Sequence, residues 1–444
     1  MALSAINSSN FLSIARLCLA ILILLAVNVY AQDTGQRYRK AGTVLSSEGP
    51  VPYVNVFPDS GAWGTVTNIE GDFVITIPAK FFQPETVLNF TSIGYDTKRI
   101  MIKDLADSVS IVNLVPSNQQ LPEVVIEGKN DSASIVLQRA IENIPKNYPK
   151  KRHMIEAFYR ELSIKDSIYS RLTEAAILVE EPGYRGNKVS SDDLSVERNK
   201  VRILEIRTSV DNRDSNLVGW AFTKLLGEKN DIYEILNDNY VRFIDKKNDH
   251  FLSRGFLPEY DVTIAGVTTF DGAPVSIINL SSKNKRIFFI RDVNIYISGN
   301  DYAILRIEND LIVNPERKEI LKFAIDSTYF YQSIISYKKM EGQYVPCYIR
   351  TRKYASNINP LSNNSLQHME VEFLLTNYFE KDFEKIRSRY VSKRDEEILK
   401  DDRPYNEEFW KNYSTVVINP ISNKAKKNLE KNKTLDEQFK SRKN

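Results

Sequence analysis

Three histidines are the whole supply of side chains that titrate near neutrality in this 444-residue chain. His153 opens an H-x-x-E with Glu156, and His250 lies downstream, so the three residues have the donor types of a catalytic zinc site. Lys150, Lys151 and Arg152 stand directly before His153, and cations so close oppose a bound dication. We therefore read His153, Glu156 and His250 as a decoy and expect each histidine to be solvated or hydrogen-bonded structurally. His368 falls in an Asn/Ser-rich stretch that reads as a loop. The acid pairs Glu180-Glu181 and Asp192-Asp193 are the residue types of a glycosidase, which holds two carboxylates across a sugar. Beside Pro182-Gly183 and Ser190-Ser191, however, they read as exposed loop residues. Ser282 to Lys285 and Ser336 to Lys339 match S-x-x-K in lysine-rich surroundings where the match is cheap. The chain contains no G-x-S-x-G, no H-E-x-x-H and no G-x-x-x-x-G-K-S/T. Hence no catalytic residue, cofactor or metal is expected.

Hydrophobic residues at 42% and charged residues at 26% sit near the globular average, which excludes wholesale disorder and a polytopic membrane protein. The opening reads as an export leader: an apolar run from Leu17 to Val27 follows Arg16, and Val29-Tyr30-Ala31 offers small residues for cleavage between Ala31 and Gln32. The alternative is a retained anchor, for which the run falls short of the roughly 20 residues a bilayer needs. Cys18 begins the run instead of ending it, so it does not fit a lipid-attachment site. Cleavage would leave Cys347 alone, which forbids an intrachain disulfide. Within Tyr344-Val345-Pro346-Cys347-Tyr348-Ile349, that thiol reads as a small core residue.

The net charge is +3, and residues 421–444 more than account for it. There Lys424, Lys426, Lys427, Lys431, Lys433, Lys440, Arg442 and Lys443 oppose Glu430, Asp436 and Glu437, an excess of five positive charges. A general nucleic-acid-binding face is not implied. Low hydrophobicity predicts a solvated, partly disordered tail. Its alternatives are contact with anionic lipid or docking of a helix through Leu429, Leu435 and Phe439.

Short alternating runs over residues 36–115 predict a β-sandwich, with Asn68-Ile69-Glu70-Gly71-Asp72 as a hairpin turn and Gly94 at a bend. After a linker at 116–131, residues 132–240 form a helical connector and the start of the body. Ala133, Val136, Leu137, Ala140, Ile141 and Ile144 lie on one helix face, with Ser132 or Ser134 as cap and Pro145 as stop. Residues 155–168 and 172–179 fit strands or one helix equally, whereas 214–226 reads as helix. Residues 241–380 predict an antiparallel sheet whose short turns leave no room for crossovers; they include a run at 320–325. Residues 381–420 form an aromatic segment that ties back onto the body. The fold class is multidomain: an all-β immunoglobulin-like or transthyretin-like sandwich followed by an α+β domain with a large antiparallel sheet.

Gly42-Thr43-Val44, Val51-Pro52-Tyr53-Val54-Asn55-Val56, Gly64 to Phe73, Ser92-Ile93-Gly94-Tyr95 and Leu121 to Ile126 resemble the carboxypeptidase-regulatory-like, transthyretin-like domain of Bacteroidota envelope proteins. Asn68 stands where that family usually has Asp. The resemblance implies a non-catalytic module, which also occurs ahead of TonB-dependent transporters. Asn294 to Ile307 resembles the curved half-barrel of periplasmic lipoprotein carriers, which implies shelter for an apolar ligand. The expected role is thus non-catalytic binding or scaffolding, in the periplasm or at the outer membrane, with an envelope protein as partner and no nucleic acid. The alternative is a lipid carrier, and after it a metal- or carboxylate-based hydrolase. The oligomeric state stays open.

Overall fold

The computed structural model describes residues 37–59, 64–78, 82–117, 129–183, 199–210, 231–243, 252, 257–284, 289–317, 329–357, 365–393, 398, 401, 403–413 and 421–441. Ala31, Gln32, Asp192-Asp193, the predicted helix at 214–226, His250 and the run at 320–325 lie outside these residues.

The N-terminal strands pair into two small sheets facing one another. One joins β1 (Arg37–Ser46), β2 (Gly49–Pro50), β5 (Asp72–Pro78) and β8 (Ser110–Asn113); the other joins β3 (Asn55–Pro58), β4 (Thr65–Val66), β6 (Val87–Thr91) and β7 (Lys98–Met101). Phe73, Ile75 and Ile77 alternate inward against Val56, Leu88 and Phe90, which is how a period of two builds a sandwich core. The predicted turn is present: Asn68 Oδ1 accepts from the amides of Glu70 and Asp72, and Gly71 has φ +78°. A side chain at Gly71 would strain that φ and bring its Cβ within 2.5 Å of the Val44 carbonyl.

Helix α1 (Lys129–Asn147) follows, with Ala133, Leu137, Ala140 and Ile144 buried on the expected face. It begins before Ser132, so neither serine caps it, and Pro145 lies inside its final turn instead of ending it. The undecided segments are strands. β9 (His153–Lys165), β10 (Ile168–Glu181) and β11 (Lys200–Thr208) join β12 (Tyr260–Phe270), β13 (Ala273–Ser282), β14 (Phe289–Ser298), β15 (Ile304–Val313), β16 (Tyr329–Met340), β17 (Gln343–Asn357) and β18 (Ser365–Phe379). All belong to one antiparallel sheet, ordered β11-β10-β9-β18-β17-β16-β15-β14-β13-β12. The two-residue loops Asp166-Ser167, Asp271-Gly272 and Glu341-Gly342 have positive φ at both positions, which matches the twist of adjoining antiparallel strands. Strand β18 returns beside β9, so the first and last strands of the body meet in mid-sheet.

Both faces of this sheet are covered. On one side α1 and α2 (Asp231–Asn237) lie on it, with Ile232, Ile235 and Leu236 joining its apolar cluster. On the other side lie the sandwich and the C-terminal helices α3 (Glu407–Tyr413), α4 (Asn423–Leu429) and α5 (Leu435–Ser441). The aromatic segment ties back as expected: Trp410 is buried, and Tyr413 donates to the Ala157 carbonyl at 3.2 Å. The expectation of a disordered tail is corrected for residues 421–441. Leu429, Leu435 and Phe439 pack on Leu162 and Leu172 of the chain's own sheet, so a few well-placed apolar side chains outweigh low average hydrophobicity.

Candidate functional site

Strand β10 runs through Glu180 and Glu181, both buried, which corrects their reading as exposed loop residues. The strand persists because Glu181 pairs with His153 and Glu180 with Lys200 across two ladders; Pro182-Gly183 comes only after them. Alternation sends the two carboxylates to opposite faces. Glu181 meets Arg242 Nε at 3.1 Å and accepts from Asn239 at 3.0 Å, while Glu180 pairs with Arg152 and accepts from the Ile386 amide at 2.7 Å. Two acids divided by a sheet cannot flank one glycosidic bond.

His153 shares the face of Glu181, with Nε2 at 3.8 Å from that carboxylate and Nδ1 at 3.1 Å from the Lys151 carbonyl. A carbonyl only accepts, so Nδ1 carries the proton in that bond. Burial lowers the imidazole pKa, and Glu181 only partly offsets it. Glu156, three residues along the same strand, faces the other side, where burial raises its pKa against a hydrogen bond with Asn377. The two therefore do not converge on a metal. Among the described residues, no group of three His, Cys, Asp or Glu side chains is placed to hold one. His368 lies on β18 and not in a loop, its ring stacked on Tyr354 at 5.4 Å. Cys347 is buried as expected, and burial raises its thiol to about 12 despite nearby Lys338.

The strongest electrostatic feature was not legible as a motif. Across the sandwich side of β11, β10, β9 and β18, Arg207, Glu174, Arg160 and Glu372 form a continuous ladder. Arg160 Nη2 lies 2.9 Å from Glu174 and Nη1 lies 3.2 Å from Glu372, with Arg160 only 2% exposed. Burial pushes the Glu174 pKa up, but Arg207 and Arg160 outweigh it and hold the carboxyl below its ordinary value. One strand pair further, Arg350 and Arg352 reach Glu370 at 2.9 and 2.7 Å and take it down to about 2 against the cost of burial. The sandwich docks here: Arg350 donates to the Tyr53 hydroxyl at 2.6 Å, and the Tyr53 and Tyr348 rings stack at 5.3 Å. Arg207 also lies over Trp410 and Phe439, so the same ladder receives α3 and α5.

Two clefts remain. One of about 530 Å³ separates the sandwich from the body and is lined by Asn55, Asn89, Arg99, Asp271, Lys338 and Tyr344. Lys338 Nζ sits 3.6 Å from the Phe57 ring centroid, and burial lowers its pKa to about 8. The other, about 900 Å³, opens between α1 and edge strand β12 and includes Leu137, Ile141, Leu257, Tyr260, Val262 and Lys283. Under the helix side, Asp238 accepts from Tyr240 at 2.7 Å and from Tyr331, while Tyr240 contacts Asn309 at 2.9 Å and Ser333 at 3.2 Å. Burial raises Asp238 to about 7, against those two donors.

A sandwich docked on a broad antiparallel sheet defines a modular β protein. Residues 41–126 match the family model of the CarboxypepD_reg-like domain, so that stretch is a carboxypeptidase-regulatory-like domain. A 109-residue stretch, 24% of the chain, is 31% identical to a TonB-dependent receptor of Formosa agariphila; the chain spans only 10% of that receptor's length. Among solved structures, a putative outer membrane lipoprotein-sorting protein domain from Vibrio parahaemolyticus covers 57% of this chain and 95% of its own at 8% identity and a TM-score of 0.26. A DUF1329 family protein from Desulfovibrio piger covers 55% and 91% at 11% identity and a TM-score of 0.22. Overlaps this loose carry no argument about ligand. No helix among the described residues is long and apolar enough to cross a membrane.

Proposed function

We propose that this protein is a non-catalytic binding or scaffolding component of a bacterial envelope of Bacteroidota type, exported by its leader and working through the surfaces of a sandwich fixed on a sheet. The observation that carries the reading is the occupation of its buried charges: Arg160, Glu174, Arg207 and Glu372 neutralise one another inside the sheet, and Arg350 holds Tyr53 of the sandwich. Perturbed groups often mark active sites, but ion-pair networks perturb them equally. Fractionation and cross-linking in the native host test the reading. The expected result is a processed protein in the envelope fraction, cross-linked to envelope proteins. An unprocessed cytosolic protein, or metal-dependent hydrolysis lost in His153→Ala, would contradict it.

The carrier reading is favoured by one feature, the cleft of about 900 Å³ between α1 and β12 with Leu137, Ile141 and Val262 in its wall. Native mass spectrometry of host-purified protein would then detect an apolar ligand that Val262→Asp displaces. Protein that is always empty would eliminate a carrier and leave the scaffold reading standing.

A further inference from the structure

The basic tail is folded, and its folding sorts its side chains. Ala425, Leu429, Leu435, Gln438 and Phe439 point into the body, whereas Lys424, Lys426, Lys427, Lys431 and Lys433 are all exposed. The acids of the segment are engaged locally. Glu430 accepts from the Leu435 amide at 3.1 Å, Glu437 accepts from the Thr434 amide and hydroxyl at 2.8 Å, and Asp436 pairs with Lys440 at 2.7 Å. No ion pair among the described residues uses the five lysines.

A second observation concerns what surrounds them. Ile69, Ile168 and Val210 are exposed at 52%, 47% and 47%, and each sits at a tail contact. Ile69 precedes Glu70, which accepts from Asn423; Ile168 precedes Tyr169, whose amide donates to Asn428; the Val210 amide itself donates to Gln438. Exposed aliphatic side chains of the sandwich, of the first residue of β10 and of the stretch just after β11 thus emerge at the points where the body meets the tail hairpin. Lysines that gain from negative headgroups, together with aliphatics that gain from the acyl boundary, are the two components of interfacial membrane binding.

We propose that the α4–α5 hairpin, with Ile69, Ile168 and Val210 at its border, is a docking face for an anionic phospholipid surface. The face is rigid, because the hairpin is anchored on β10 and β11 through Leu429, Leu435 and Phe439. The proposal is independent of the scaffold reading, since such a face serves an envelope protein of any activity.

Vesicle co-sedimentation of the full chain tests it, comparing phosphatidylcholine alone with phosphatidylcholine mixed with phosphatidylglycerol. The comparison isolates the charge-dependent part, which an apolar leader does not create. The protein should prefer the anionic vesicles and lose most of that preference at high salt. Replacing Lys424, Lys426 and Lys427 together by Gln should weaken anionic binding about a hundredfold, at about fivefold per lysine. All three are exposed, so circular dichroism should stay unchanged. Ile168→Asn with Val210→Asn should weaken binding to the anionic vesicles further in the triple-Gln background. Equal binding to both vesicles, undiminished binding by the folded triple variant, or full displacement by a DNA duplex of equal charge would overturn the proposal.

Discussion

On the helix side of the ten-stranded sheet, Ile155, Ala157 and Tyr159 of β9 share one apolar cluster with Leu137, Ile144, Ile232 and Leu236. On the opposite side of the same strand, Arg160 is locked between Glu174 and Glu372, and the covering layer is the sandwich and the tail. Apolar burial is non-directional, so on the helix side a few ion pairs, Lys353 with Asp231 and Glu234 of α2 and Glu181 with Arg242, fix where the covering layer lies. A charge pair in low dielectric tolerates only its own geometry, and the continuous ladder of the sandwich side specifies more fully how separate parts of the chain dock. On the helix side, Asp238 has tyrosine donors but no cation at hydrogen-bond distance among the described residues, and its pKa rises where that of Glu370 falls.

Breaking the ladder should have the largest effect. Glu174→Gln leaves Arg160 and Arg207 facing a neutral amide in a buried site and should cost about 3–5 kcal/mol in urea unfolding. Leu137→Ala opens a cavity under α1 and should cost about 2–5 kcal/mol by the same measurement, at any pH and with little dependence on salt. Asp238 gives a pH signature. Its folded pKa of about 7 lies above the ordinary 3.8, so its contribution to stability is complete below pH 3.8 and is lost as pH rises to 7. Stability of the native protein should carry a slope of roughly 1.4 kcal/mol per pH unit from this group across that window, and Asp238→Asn should remove it. Tyr53→Phe deletes one hydrogen bond to Arg350 and should cost about 1–2 kcal/mol, read as loosened docking of the sandwich and not as unfolding of the sheet.

The sandwich was legible because its turns are written locally: Asn68 and Gly71 make a hairpin whatever lies elsewhere. The buried stripe of α1 was legible for the same reason, since the period of Leu137, Ala140 and Ile144 needs no partner. Residues 155–179 were ambiguous because a strand covered on both faces loses the alternation that distinguishes it from a helix. The ladder hid more deeply. Arg160 and Glu161 interrupt an apolar run, which signals paired charges inside a sheet, but Glu372 is more than two hundred residues away and only the β9–β18 register brings it near. The tail misled through its average composition, because Leu429, Leu435 and Phe439 are few but converge on Leu162 and Leu172.

Hydrogen–deuterium exchange over the whole chain tests most directly whether the charged side of the sheet is a docking plane for sandwich and tail. Amides of Ala425, Leu429 and Gln438 should exchange far more slowly than a free chain, and Arg350→Leu should speed exchange around Tyr53 and Thr67 while leaving α1 unchanged. A tail exchanging at free-chain rates, with a sandwich indifferent to Arg350→Leu, would contradict the account.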